Sequence, residues 1–271
     1  MKGRVAGLSL LLAVVTSILC FTEAKATWWD DRSAIRGSGD VVEEDREIGT
    51  IHSVNLATIG TLYIEVGDDE GLTIRAEDNL LKHIETDVTG GRLLIRTEDR
   101  VNLRPRSEIK YYLTVKALDM IVVSSSGDIK TSDLEAEDFA IMIESSGNLE
   151  TGAITCGNLE IEISSSGDVY IDALNARTIT AEMSSSGDLE IGDGQVEEQS
   201  ISINSSGDYN AMDLSSNEAK VRINSSGDAT VRVRDYLDAR TNSSGDVNYY
   251  GDPETVDRRE NSSGDVERVG G

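Results

Sequence analysis

Apolar and polar residues alternate along most of the chain. Ile161, Ile163 and Ser165, then Val169 and Ile171, share one parity. The same parity picks out Ile201, Ile203, Ser205, Tyr209 and Ala211, and again Val221, Ile223, Ser225, Ala229, Val231 and Val233. A period of two rich in β-branched residues predicts strands whose alternate side chains face a core. One phrase, Ser-Ser-Gly-Asp, punctuates these runs, with its glycines at Gly127, Gly147, Gly167, Gly187, Gly207, Gly227, Gly245 and Gly264. The steps between them are 20, 20, 20, 20, 20, 18 and 19 residues, and only the second copy departs from the phrase, with Asn148 in the Asp position. Identical corners at near-constant spacing set each strand beside its copy in the next coil. The pattern therefore predicts an all-β fold, a right-handed parallel β-helix (solenoid) with coils of about 20 residues.

The phrase reads as one corner of the coil. Glycine takes positive φ without steric cost, and Asp can accept hydrogen bonds from nearby backbone N–H groups. Parity turns Ser125, Ser145, Ser165, Ser185, Ser205, Ser225, Ser243 and Ser262 inward as a buried ladder. The residue before each points outward, where Asn204, Asn224, Asn242 and Asn261 are placed to bond to one another along the stack. Leu134, Leu174 and Leu214 add an inward position beyond the second strand, which makes the coil three-sided.

Residues 47–118 keep the alternation but lose the phrase. Leu62, Ile64 and Val66 alternate, as do Leu72, Ile74 and Ala76, then Leu93 and Ile95, then Tyr111, Leu113 and Val115. Gly67 to Gly71 reads as a turn, Gly90-Gly91 as a hairpin or corner, and Asn79 to Ile84 as one short helical turn. This stretch is expected to be a less regular N-terminal β portion of the same structure, so that 47–250 forms one domain. Arg100, Arg104 and Arg106 form a basic island, expected on an exposed loop beside carboxylates. After Tyr250, Pro253 interrupts the pattern and Arg258-Arg259-Glu260 stands where apolar residues stood before. Residues 251–271 are expected to be a terminal coil and a frayed tail.

Upstream, Lys2 and Arg4, an apolar run from Val5 to Phe21 and Ala24-Lys25-Ala26 have the layout of a secretory signal peptide spanning 1–26. The apolar run is short for a membrane span, and Ile18-Leu19 before Cys20 does not suit a lipoprotein cleavage site. Residues 27–46 are polar apart from Trp28-Trp29 and are expected to be a flexible lead-in. Cleavage removes Cys20 and leaves Cys156 alone, read as a small side chain at a corner and not as a reactive thiol. The protein is thus expected to be exported, to the periplasm or the cell surface.

Charge narrows the partners. The formal net charge is −25, and loss of Lys2, Arg4, Lys25 and Glu23 with the signal leaves 22 basic and 49 acidic residues, or −27. Such a field repels phosphate backbones and anionic membranes, so nucleic acid is excluded as a partner. Few aromatics and many charges also fit disorder, but the strict alternation argues against it.

The column of Asp128, Asp168, Asp188, Asp208, Asp228, Asp246 and Asp265 is the main chemical candidate. Carboxylates about one strand spacing apart repel by about 1 kcal/mol in water, so something must offset them. Backbone N–H groups at the corner are the simpler answer, and calcium bridged by Asp168, Asp188, Asp208 and Asp228 is the sharper one. The nine-residue glycine-rich pattern of calcium-binding β-rolls is missing. No other cofactor is expected. His52 and His83 stand outside the array without an acid or nucleophile at motif spacing, and eight equivalent serines cannot each be a nucleophile. No catalytic residue is singled out and no enzyme is expected.

A wider set of residues carries a resemblance. Gly39-Asp40-Val41-Val42, Leu62-Tyr63-Ile64-Glu65-Val66-Gly67, Leu72 to Leu81, Ile84-Glu85-Thr86 and Gly91-Arg92-Leu93-Leu94-Ile95 lead into the Ser-Ser-Gly-Asp coils. Together, over residues 38 to 250, they resemble the bacterial auto-transporter adhesin, head GIN domain family. The resemblance implies an exported β-helical protein with a role in adhesion and brings no catalytic residues. The expected function is a non-catalytic binding module that presents repetitive polar faces to a surface or glycan ligand. The alternatives are a polysaccharide-acting β-helix enzyme and a structural protein of the cell envelope.

Overall fold

The computed structural model describes residues 34–270, and the expected signal peptide, Cys20 and Trp28-Trp29 lie outside them. Its core is a β-solenoid. The strand Leu149–Ile163 pairs in parallel with Val169–Met183 in three runs. Leu149 to Thr151 lie on Val169 to Ile171, Ala153 to Cys156 on Ala173 to Ala176, and Asn158 to Ile163 on Thr178 to Met183. These runs define a first, second and third face, as the three-sided expectation requires. Partners are one repeat apart, so each coil repeats the face pattern of the one before. The inward positions Val169, Ile171, Leu174, Ile179, Ala181 and Met183 are all buried. Full burial of an Ile, Leu, Val or Met side chain contributes about 1.5–3 kcal/mol, and the neighbouring coils bury Ile161, Ile163, Val221 and Ile223 in the same way. Where the repeat shortens, the register shifts between Ala211 and Ser215, so the second face absorbs the loss and the first and third keep their ladders.

The corner differs from its reading in the sequence. The first serine of each phrase from Ser125 to Ser243 is half-buried, Ser262 is exposed, and the glycine is the buried residue. No glycine of the phrase has positive φ. Their requirement is closeness: a Cβ on Gly167, Gly187, Gly207, Gly227 or Gly245 would overlap the carbonyl oxygen of the phrase glycine one coil before. The bend lifts the serine partly off the core, and the next residue of the same parity, the glycine two positions on, is the one seated in it. The backbone joins each corner to the one a coil before, with Gly147 N–H donating to Ser125 O at 3.1 Å and Gly227 N–H to Ser205 O at 3.1 Å.

Residues 47–118 build the N-terminal end of the same core. Ser53–Ala57 lies in register under Met120–Val123, and Thr61–Val66 under Asp128–Thr131. On the third face Arg92–Thr97 adds a parallel strand to Ser53–Ala57, and Ile84–Thr89 closes it as an antiparallel hairpin. Gly90 and Gly91, at φ 60° and 77°, make that turn, where only glycine is unstrained. On the first face Lys110–Val115 adds to Thr61–Val66, followed by Gly71–Glu77 and Val41–Arg46, both antiparallel to their neighbours. The expected helical turn is the helix Asp78–Leu81, which buries Leu80 and Leu81.

Two expectations about the ends are corrected. The lead-in is ordered structure from residue 34: Ala34–Arg36 pairs with Asn102–Arg104, and Val41–Arg46 is the outermost strand of the first face. The buried carboxylate of Glu77 holds this segment, accepting the N–H groups of Gly39 and Arg106 at 2.9 Å each. The tail does not fray, because Thr255–Glu260 pairs with the third-face part of Ala229–Thr241 and Val266–Gly270 pairs with Val247–Tyr250. Every residue of Thr255–Glu260 is exposed, with Arg258 and Glu260 at inward register positions. Polar residues there close the stack, as the outer face of a terminal repeat must.

Candidate binding faces

The corner edge carries the aspartates. Asp188 N–H donates to Asp168 Oδ1 at 3.0 Å, Asp208 to Asp188 at 2.8 Å, Asp228 to Asp208 at 2.8 Å, Asp246 to Asp228 at 2.7 Å and Asp265 to Asp246 at 2.8 Å. Asn148 takes the same place, accepting the Asp168 N–H at 3.0 Å and donating its own to Asp128 at 2.9 Å. Each side chain thus satisfies an amide one coil away, and charge-assisted bonding of this kind offsets the repulsion along the column. Among the described residues no three or more His, Cys, Asp or Glu side chains are grouped to hold a metal ion. Beside this edge runs the asparagine ladder, as expected. Asn224 Nδ2 donates to Asn204 Oδ1 at 2.8 Å, Asn242 to Asn224 at 2.7 Å and Asn261 to Asn242 at 2.7 Å.

The outward residues form rows in register. On the third face one row runs Glu162, Glu182, Ser202, Arg222, Arg240 and Arg259, passing from acidic to basic toward the C-terminal coils. Asp238 braces its basic end, accepting two bonds from Arg240 at 3.0 and 3.1 Å. On the first face a row runs Tyr112, Tyr63, Lys130, Glu150, Tyr170, Glu190, Asn210, Thr230 and Asn248. The rings of Tyr63 and Tyr112 stack at 5.4 Å, and Lys110 sits 5.6 Å from the Tyr63 ring. Lys130 Nζ pairs with Glu150 at 2.5 Å, a hydrogen bond that holds its ammonium above the usual lysine range.

The residues weighed for catalysis stay apart. His52 Nδ1 lies 3.2 Å from Asp119, and His83 Nδ1 lies 2.7 Å from Glu98, without a serine or cysteine among their partners. Beside His52 an open groove of about 990 Å³ runs along the edge of the third face, lined by Met120, Ala136, Phe139, Ala140 and Glu160. Cys156 lies within the second-face run of Leu149–Ile163, not at a corner, and is half-buried. Burial, and then the charge of Asp138, pushes its thiol up to about 11, which keeps it protonated and inert near neutrality. Of the basic island, Arg104 lies in the strand Asn102–Arg104, and Arg106 gives its backbone N–H to Glu77.

A buried polar group inside the solenoid escapes the alternation argument. Tyr209 Oη donates to Gln199 Oε1 at 2.7 Å, Gln199 Nε2 to Ser216 Oγ at 3.0 Å, and Ser216 Oγ to Arg232 O at 2.9 Å. Gln199 occupies the position held by Ile179 one coil earlier, and that lapse in an apolar column was the readable signal.

Solved structures share this architecture. A protein from Parabacteroides merdae described as a "putative adhesin" superposes with a TM-score of 0.81 at 19% identity, over 88% of this chain and 99% of its own. A "putative adhesin" from Parabacteroides distasonis gives 0.81 at 22% identity, over 87% and 100%. A "putative lipid binding protein" from the same species gives 0.79 at 24% identity, over 87% and 100%. At such identities the likeness establishes the fold. No curated protein matches the chain. With the coils, corners and N-terminal hairpins in place, the chain belongs to the family described as "Putative auto-transporter adhesin, head GIN domain", whose pattern matches residues 52–253.

Proposed function

We propose that this protein is an exported adhesive module that holds a surface ligand on its repeated polar faces, without catalysis. The observation that carries the reading is the register of the outward rows. From coil to coil the same face offers carboxylate, hydroxyl and guanidinium groups one strand spacing apart, as the row Glu162, Glu182, Ser202 and Arg222 does. Solenoids present extended surfaces of this kind to long ligands. The family adds support for adhesion, and the signal-like residues 1–26 support export to the periplasm or the surface.

Catalysis is disfavoured by repetition. A hydrolase needs two carboxylates set apart by environment, whereas the aspartates here are equivalent and each serves a neighbouring amide. The reading contains no bound calcium, because one oxygen of Asp168, Asp188, Asp208 and Asp228 is already engaged. Calcium titration is expected to leave the melting temperature where the same concentration of magnesium leaves it; a rise specific to calcium would restore the metal site.

The functional test pairs binding with turnover. The mature protein is expected to bind on a glycan array or to intact cells and to release no products from acidic polysaccharides. It should also be found in the periplasmic or surface fraction of cells. Release of oligosaccharides without stable binding would favour the polysaccharide-acting alternative.

A further inference from the structure

We infer that the first-face tyrosine row is the contact site for an extended, uncharged β-linked glycan, a step that rests on the adhesive reading and names its ligand class. Tyr170 and Tyr112 are among the few large apolar side chains left exposed, at 39% and 42%, and both stand in this row with Tyr63. Tyr170 reaches diagonally across the next coil. Its hydroxyl lies 3.3 Å from the place a Cβ on Gly192 would take, so the ring lies along the sheet and turns a face to solvent. Tyr250 lies over Gly270 in the same way, but Arg232 covers its ring at 5.2 Å. No ring or cation covers Tyr170 among the described residues.

Tyr112, the exposed outer member of the stacked pair with Tyr63, and Tyr170 are four ladder steps apart, roughly 19 Å at the usual strand spacing. Between them lie Lys130 and Glu150, whose charges offset each other while their polar atoms remain on the surface. An exposed tyrosine at each end, Tyr112 and Tyr170, and a locally neutral bed of donors and acceptors between them match a flat chain of pyranose rings. Equatorial hydroxyls point such a ring's edges at polar groups and its C–H faces at aromatic rings. Charge complementarity selects among glycans, because a protein of net charge −25 repels polyuronates and other polyanions. Tyrosine suits the role, since it offers a large rigid contact area at little entropic cost.

The test is calorimetric titration of the mature chain with cellohexaose, chitohexaose and hexagalacturonate. One of the neutral hexaoses is expected to bind, and hexagalacturonate to bind more weakly. Tyr170→Ala is expected to weaken the neutral ligand at least about tenfold, Tyr170→Phe to retain it, and Glu254→Gln, exposed just before the strand Thr255–Glu260 and in neither row, to leave it unchanged. Melting curves check that each variant folds, and Tyr112→Ala is a second test should Tyr170→Ala fail to fold. Equal affinity in the tyrosine-to-alanine variants, or no binding of either neutral hexaose, overturns the site. If those variants still adhere to intact cells, only the site falls; if the natural chain adheres to nothing, the adhesive reading falls with it.

Discussion

At Gly187 the surroundings leave no room for a methyl group, because an added Cβ would sit on the Gly167 carbonyl oxygen. Gly187→Ala is therefore expected to cost about 1–3 kcal/mol through forced backbone movement, while Ser186→Ala, on an exposed position, stays within about 0.5 kcal/mol. Denaturant unfolding of the two variants checks this, and equal midpoints would refute it. Glu77 makes a second residue-scale case. Its removal in Glu77→Ala takes away the buried acceptor that the exposed residues Gly39 and Arg106 share, at a cost of about 1–3 kcal/mol in all. Faster hydrogen exchange at these two amides would accompany the loss. The inward residues Ile161, Ile163, Val169 and Ile171 were legible because alternation holds wherever the chain is straight. It failed at Ser165, where the chain bends and lifts an inward-parity side chain partly off the core, leaving Gly167 as the buried residue. Glu77 was illegible for another reason, since one glutamate ending a strand looks the same whether it is solvated or caps two distant amides.

Elements were legible in proportion to how much core they face. The central strands and the Gly90-Gly91 hairpin declared themselves by apolar periodicity and by turn residues. Val41–Arg46 and Thr255–Glu260 did not, because each is an outermost strand with little to bury on either side. Their order comes from backbone pairing, which leaves no mark on residue type. Deleting residues 255–271 is expected to uncover the ladder edge of Ala229–Thr241 and to produce self-association, seen as a rise in mass by light scattering after size exclusion. A monomer of unchanged stability would mean that the terminal coil is dispensable. The candidate faces sat between these cases: the rows followed from the repeat, but the posture of Tyr170 over Gly192 did not, since it depends on a side chain leaning into a neighbouring coil.

Over the whole molecule, parallel ladders and one apolar column must hold together a chain of net charge −25 with one cysteine left after residue 20. Self-repulsion at that charge works against the compact state, and salt shortens its reach from about 30 Å at 0.01 M to about 8 Å at 0.15 M. The melting temperature is accordingly expected to rise over that range of sodium chloride; a fall would mean that the paired arginines and lysines outweigh the excess acids. Because partners along each ladder are one repeat apart, a coil meets only the coil above and the coil below. Overall span is then an adjustable quantity: duplicating residues 169–188 in the gene would add a single rung of about 4.8 Å without disturbing those on either side. Selection can set the length of the stack by copying or dropping whole modules, much as a carpenter cuts a ladder to the height of the wall.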